Sequence, residues 1–377
     1  MHSMKKLSRE QREIDVKTSI IHRQGVSKPK RRRTFINFNN LVVNDWIDSH
    51  RKRGLNVEFN RNKVTIVLPE RLNFFHDYNS TALHLNAIRK LITNKSTSHK
   101  AYKLGKVKFD YLRAVSTSAS LVLTAELSKW DDTTRSNLKP DTTNWTPDVL
   151  AHFNELGFFD LFKNKPSNVS YFGKNASHNR RTVKYTKGRC GDKEQTRVLK
   201  ENITKMIGDE IKKWMFLHSG LSEAIVNVSH HAYPDIYGYS INDKNWYYTA
   251  AYNISKRELK VVFYDQGIGI PKSLPASDLW EKILEFLSIF PVADQKKDEI
   301  LLKAAVEFDR TRTEDSDRGK GLQDLMEFIR QRGEGYLSII SLKGLFKLEI
   351  KNGIESIKSE HFNYPVNGTL IIWCVTV

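Results

Sequence analysis

The chain has few cysteines: 2 in 377 residues, Cys190 and Cys374. That excludes a disulfide framework and a four-cysteine zinc site, and it fits a reducing compartment. Long apolar runs are missing as well. No stretch approaches the ~18 residues that a membrane helix needs. The basic N-terminus lacks the apolar segment of a secretory signal. The expectation is a cytoplasmic protein with no membrane partner. Acidic residues are in deficit, with 43 Asp and Glu against 61 Lys and Arg, for a net charge of +18. Hydrophobic residues still make up 39%, so a packed core is feasible. The length suits two ordinary domains or one large one.

The positive charge is concentrated. Residues 1–33 hold 11 Lys/Arg and 3 Asp/Glu, and residues 163–200 hold 11 and 2. The rest of the chain is nearly neutral. The first segment ends in Lys28-Pro29-Lys30-Arg31-Arg32-Arg33 and reads as a basic flexible arm. The second is polar, with Asn, Ser and Gly around Asn164 to Arg181, and reads as an exposed basic linker over 163–194. Two readings stay open for both segments. They serve solubility, or they attract phosphate backbones or acidic proteins.

Between these segments the pattern is that of a small α/β domain over 34–162. Val57 to Phe59 and Val64 to Leu68 predict a hairpin turning at Arg61 to Lys63. Ser80 to Ile92 has helical spacing, Val107 to Phe109 is a short strand, and Ser116 to Leu127 is a helix. Thr146 is the N-cap of a further helix, with Pro147 at its first position and Gly157 as its C-cap. Residues 195–377 read differently. Two helices (Gln195 to Met215, Leu221 to Ala232) precede two strands (Trp246 to Ile254, Leu259 to Tyr264). A long polar insert follows, then a helix (Leu322 to Gln331) and three strands (Tyr336 to Ser341, Leu345 to Ile350, Thr369 to Val375). The order predicts an α+β fold with an antiparallel sheet and helices on one face.

The chemistry-bearing residues lie in this second part. Glu223, Asn227 and His231 stand at i, i+4 and i+8. Each step drifts only about 40° around a helix, so the three share one stripe. A carboxylate and an amide one turn apart can hold a hydrated Mg²⁺ and orient a water; a polar surface stripe fits the same pattern. Ile225 and Val228 point elsewhere, toward a sheet. Asp265 ends an apolar strand and is followed by Gly267 and Gly269. A fixed carboxylate there can accept from an adenine amino group, and the glycines let backbone approach a flat ring; a simple turn fits too. Gly319, Lys320, Gly321 and Leu322 lead into a helix, a place where backbone N–H groups meet phosphate. Thr369 opens the last strand.

Taken in order, these pieces resemble the GHKL ATPases, the superfamily of gyrase-type topoisomerases, heat-shock chaperones, histidine kinases and MutL-type repair proteins. Glu-x-x-x-Asn-x-x-x-His-Ala looks like the N box, Asp-x-Gly-x-Gly-Ile-Pro like the first glycine box and Arg-Gly-x-Gly-Leu like the second. The resemblance covers 195–377 and implies an α/β sandwich of the Bergerat type that binds ATP and Mg²⁺. By that resemblance Asn227 binds the metal, Glu223 polarises the attacking water, and Asp265 reads adenine with Thr369 assisting. Gly319, Lys320 and Gly321 close on the phosphates, and residues 272–318 form a mobile lid. His230 stands where kinases of the family often carry Lys or Arg, which puts the hydrolysis rate in doubt. His231 is expected to pack structurally.

The chain ends after the last predicted strand, so a topoisomerase, chaperone or repair clamp is not expected. Residues 163–194 do not fit a phospho-accepting helical hairpin. His76-Asp77-Tyr78-Asn79 looks faintly like an acceptor box but is read as a loop. The N-terminal block looks loosely like a STAS-type domain, with Ser116 or Thr117 read as an N-cap. The leading expectation is an ATP-binding regulator, a slow ATPase or switch, that signals to its N-terminal domain or an unknown protein partner. A protein kinase of anti-sigma serine or histidine type, an ATP-responsive nucleic-acid module and a homodimer remain open alternatives.

Overall fold

The computed structural model describes residues 41–94, 96–130, 135, 140–163, 165–166, 179–189, 195–240, 243–276, 280–312 and 322–377. The basic arm 1–33, Cys190 and the phosphate-loop candidates Gly319, Lys320 and Gly321 lie outside these residues. Helix α1 (Val42–Arg51) leads into strands β1 (Val57–Asn60) and β2 (Lys63–Val67), the predicted hairpin. The turn residue Arg61 takes a positive φ of 55°. A short β3 (Arg71–Leu72), helix α2 (Tyr78–Ile92), β4 (Lys103–Lys108), β5 (Ala114–Val115) and helix α3 (Thr117–Ser128) follow. β2 pairs β1 antiparallel and β4 parallel, and β3 pairs β5 parallel. Ser116 caps α3 by accepting from the Ala119 N–H. Helix α4 (Pro147–Leu156) has Thr146 as N-cap and Gly157 in the left-handed conformation as C-cap. Of the acceptor-like tetrapeptide, His76 and Asp77 lie in a turn, and Tyr78 and Asn79 begin α2.

The segment read as linker contributes two paired strands. β6 (Arg180–Thr182) and β7 (Thr186–Arg189) both align antiparallel on β8 (Asn245–Asn253). Their sequence is basic and glycine-containing, so it carries no alternating apolar signal; the pairing is made by backbone and by partners distant in sequence. Helix α5 (Gln195–Ile207) is shorter than expected. It stops at Gly208, whose φ of 85° is left-handed. Helix α6 starts at Trp214 and runs to Asn227, ahead of the predicted start at Leu221. β8 and β9 (Glu258–Asp265) form a hairpin. The insert carries helices α7 (Trp280–Leu287) and α8 (Asp298–Arg312). Their apolar faces share a small cluster of Leu274, Ile283, Leu287, Leu301, Ala304 and Ala305.

After α9 (Leu322–Arg332) come two long strands where three shorter ones were predicted, β10 (Gly335–Lys351) and β11 (Ile354–Thr376). A bulge at Leu342, φ 53°, bends β10 without ending it. The large sheet runs β10-β11-β9-β8-β6, antiparallel throughout.

Both faces of this sheet are covered, which corrects the expectation of helices on one face. Trp246, Tyr248, Val261, Phe263, Ile371 and Trp373 pack with α5, α6 and α9. Their neighbours Tyr247, Val262, Tyr264, Leu370 and Ile372 pack into the core of residues 41–162, with Leu83, Val122 and Phe153. Strand side chains alternate between faces, so a sheet buried on both reads as continuous apolar runs, such as Val261 to Tyr264. No helix among the described residues is long and apolar enough to cross a membrane.

One tie across the layers titrates. His152 of α4, 1% exposed, bonds Ser120 Oγ at 2.7 Å and Thr182 Oγ1 of β6 at 2.6 Å. Burial, aided by the Arg180 charge, pushes its pKa well below the ordinary value. The unfolded chain therefore takes up this proton first, below about pH 6.5. The contribution is complete above that pH and is lost as pH falls below it. Urea unfolding between pH 7.5 and 5 should show a steeper acid loss for wild type than for His152→Gln. Parallel pH curves would contradict this.

Candidate functional site

Asp265 is the last residue of β9, in register with Trp246 on one side and Thr369 on the other. It is 4% exposed. Its Oδ1 accepts the Gly267 N–H at 2.8 Å, and Thr369 bonds to it as well. Burial raises its pKa to about 6, and the Gly267 and Thr369 hydrogen bonds and the Lys129 charge offset this only in part.

The loop beyond it is built by close backbone contacts. The Ile268 N–H donates to Ala232 O at 2.8 Å. A Cβ on Gly267 would stand 2.4 Å from that same oxygen, so only glycine fits. Gly368, φ 90°, brings its Cα so near β9 that a Cβ would lie 2.1 Å from Asp265 O. Ser341 Oγ ties β10 to β11 and to the loop after β9. It accepts the Ile270 N–H at 2.9 Å, donates to Gly368 O at 3.1 Å and lies 3.2 Å from Thr369 Oγ1. Gly269, φ 84°, sits under this hydroxyl.

Glu223 and Asn227 sit half-buried on α6, one turn apart, while Ala224, Ile225 and Val228 of the same run are buried in the core. After Asn227 the helix widens into a π-turn, Val228–Ala232. Such turns are frequent at functional sites. His231 lies within this turn. It is exposed, as is His230, which corrects the expectation that His231 packs structurally. The turn ends on Ala232, the residue against Gly267. Midway along its length α6 crosses α9 closely. Ser219 Oγ donates to Asp324 Oδ2 at 2.8 Å, and a Cβ on Gly220 would stand 3.1 Å from Asp324 O. Leu322, half-buried, opens α9 and packs with both the main core and the insert's cluster.

Thus α6, bearing Glu223 and Asn227, is held near its middle to the helix that Leu322 begins and, through the π-turn that follows it, to the loop after Asp265. No group of three or more His, Cys, Asp or Glu among the described residues is arranged to hold a metal.

Several residues the sequence reading passed over shape this site. Tyr233 OH accepts the Gln266 N–H at 3.1 Å and donates to Asn245 O at 2.5 Å. Gln266, fully buried, donates through Nε2 to Glu126 Oε1 of α3 at 2.8 Å, and Arg89 of α2 donates to the same oxygen at 3.1 Å. Its Oε1 is buried with no hydrogen-bond partner among the described residues. Gln266 and Gly368 stand beside quoted motif residues and were within reach of the sequence. Glu126, Arg89 and Ser341 carried no local signal. No family model matches the chain, and no curated protein matches it.

Proposed function

We propose that this chain binds ATP with Mg²⁺ in a Bergerat-type site and acts as a slow ATPase or nucleotide switch read by residues 41–162 or by a partner. The observation that carries the reading is Asp265: a carboxylate buried to 4% exposure, at a strand end that Gly267 and Gly368 pack so closely that Ala232 and the Asp265 backbone leave no room for a Cβ on either. No ion pair among the described residues involves it. A buried carboxylate without a cation is costly. That cost is understandable where a ligand amino group is to be accepted.

The residues present fit the ligand. Asp265 and Thr369 would hold the adenine. Asn227 would give Mg²⁺ one oxygen, the rest coming from phosphates and water, as this ion prefers. Glu223, one turn earlier, would hold a water at its carboxylate and accept its proton. ATP, when bound, supplies the phosphoryl group that passes to water. Gln266 ties the loop to Glu126, which also holds Arg89, and this gives residues 41–162 a connection to the site's occupancy.

Equilibrium binding of ATP to the full chain, with and without Mg²⁺, tests this. Asn227→Ala should lose the gain in affinity that Mg²⁺ gives. Glu223→Ala should keep binding within about twofold and lower phosphate release by roughly 100-fold or more. Absence of any ATP binding by the wild-type chain would refute the reading.

A further inference from the structure

A cavity of about 810 Å³ opens between α2 and the β11 strand, on the side of the sheet covered by residues 41–162. Its volume lies within the ~300–1,000 Å³ of small-molecule sites. Among its lining residues are Arg53, Arg89, Lys90 and Lys343, one histidine and no Asp or Glu. Four cations converge on one concavity from the turn after α1, from α2 and from β10. Arg53, Lys90 and Lys343 form no ion pair among the described residues. Glu126 and Asp298 bond to the Arg89 guanidinium and the Lys343 N–H respectively, but neither lines the cavity.

Lys90 lies over the Trp46 ring, 5.2 Å from its centroid. Its side chain, though solvent-exposed, is partly desolvated with no opposing carboxylate, which lowers its pKa from the ordinary lysine value. The wall itself is fixed: Asn367 Nδ2 donates to Asn86 Oδ1 at 2.7 Å, and Asn86 Nδ2 to Pro365 O at 2.9 Å. Like charges gathered without counter-ions repel one another, and a matching anion relieves that repulsion.

We infer that this cavity is a binding site for a small molecule carrying two or more phosphates, gripped by Arg53, Arg89, Lys90 and Lys343. One phosphate carries about −1.5 to −2 charges, so four cations match at least two. Arg89 offers five donors in a planar fork suited to phosphate oxygens, and one of them is engaged, on Glu126. That contact reaches further. Glu126 Oε1 also holds Gln266, the residue after Asp265. A phosphate that draws Arg89 aside alters what Gln266 is bonded to. The ligand site itself is independent of the ATP reading; only this coupling rests on it.

Calorimetric titration of the full chain with inorganic tripolyphosphate, without nucleotide or Mg²⁺, tests the site. The expected result is saturable binding that weakens at least tenfold in Arg53→Glu/Lys90→Glu and is unchanged in Asp265→Asn. Both reversed residues are exposed, so the variant should melt with wild type. Three results would overturn the inference. They are no tripolyphosphate binding, equal binding by the double variant, and binding of a single-stranded oligonucleotide that tripolyphosphate does not displace. Failure of the ATP reading would look different: ATP would not bind, while the tripolyphosphate results stood.

Discussion

Asp265→Asn is expected to weaken ATP binding by roughly 10- to 100-fold and, at neutral pH, to raise the stability of the ligand-free chain. The first effect follows from exchanging a charged acceptor for an amide, since a hydrogen bond to a charged group is worth about 1.5–3 kcal/mol. The second follows from the raised pKa. Asp265 goes from an ordinary 3.8 to about 6 on folding. Between these values the folded chain holds a proton that the unfolded chain has released. Stability from this group is therefore complete below about pH 4 and is lost as pH rises through 6. The loss is about 3 kcal/mol at neutral pH. The asparagine cannot ionise, avoids that loss and keeps an acceptor for the Gly267 N–H. Urea unfolding at pH 7.5 and pH 4, with ATP titrations at pH 7.5, reads both effects. An asparagine variant that is less stable at pH 7.5 and binds ATP as wild type does would contradict the assignment on both counts.

Gly267→Ala should be strongly damaging, costing about 3 kcal/mol, the upper range of overpacking. The new Cβ meets the Ala232 oxygen and Cβ at 2.4 and 2.5 Å. Neither is the free end of a flexible side chain. Either the Ile268–Ala232 hydrogen bond breaks or the π-turn moves, and Asn227 moves with it. Gly353→Ala is the control. Its φ is 73°, but nothing lies within 4 Å, so only left-handed strain of about 1–2 kcal/mol applies. Denaturant midpoints of the two variants compare them directly. Equal losses would mean that contact with Ala232 is not what demands glycine at 267.

Elements governed by neighbours in sequence were the most legible. Thr146, Pro147 and Gly157 bound α4 as their capping chemistry requires. The β8–β9 hairpin, the cap at Ser116 and helix α9 follow from equally local signals. Legibility declined where partners are far apart. The apolar run at Val261 to Tyr264 was visible, but its meaning, cover on both faces, depends on helices more than a hundred residues earlier. β6 and β7 have little apolar character and become strands because β8 offers its edge. The π-turn after Asn227 follows from Ala232 docking on Gly267, which no helical periodicity reveals. Within the site, Asp265, Gly267 and Gly269 could be found because each stands at a strand end or tight turn, and Thr369 because it opens an apolar run. Glu126, in the middle of an apolar helix, gave no sign that it meets Gln266.

Alternation along β9 turns successive side chains toward opposite halves of the molecule. Phe263 and Asp265 face the helices while Tyr264 between them faces residues 41–162, with its hydroxyl 2.8 Å from Asn367 O. A single ribbon of peptide is thus the party wall of two rooms, and whatever shifts it by a fraction of an ångström is felt in both at once. Either half taken without the other would leave one apolar face of the sheet open to water.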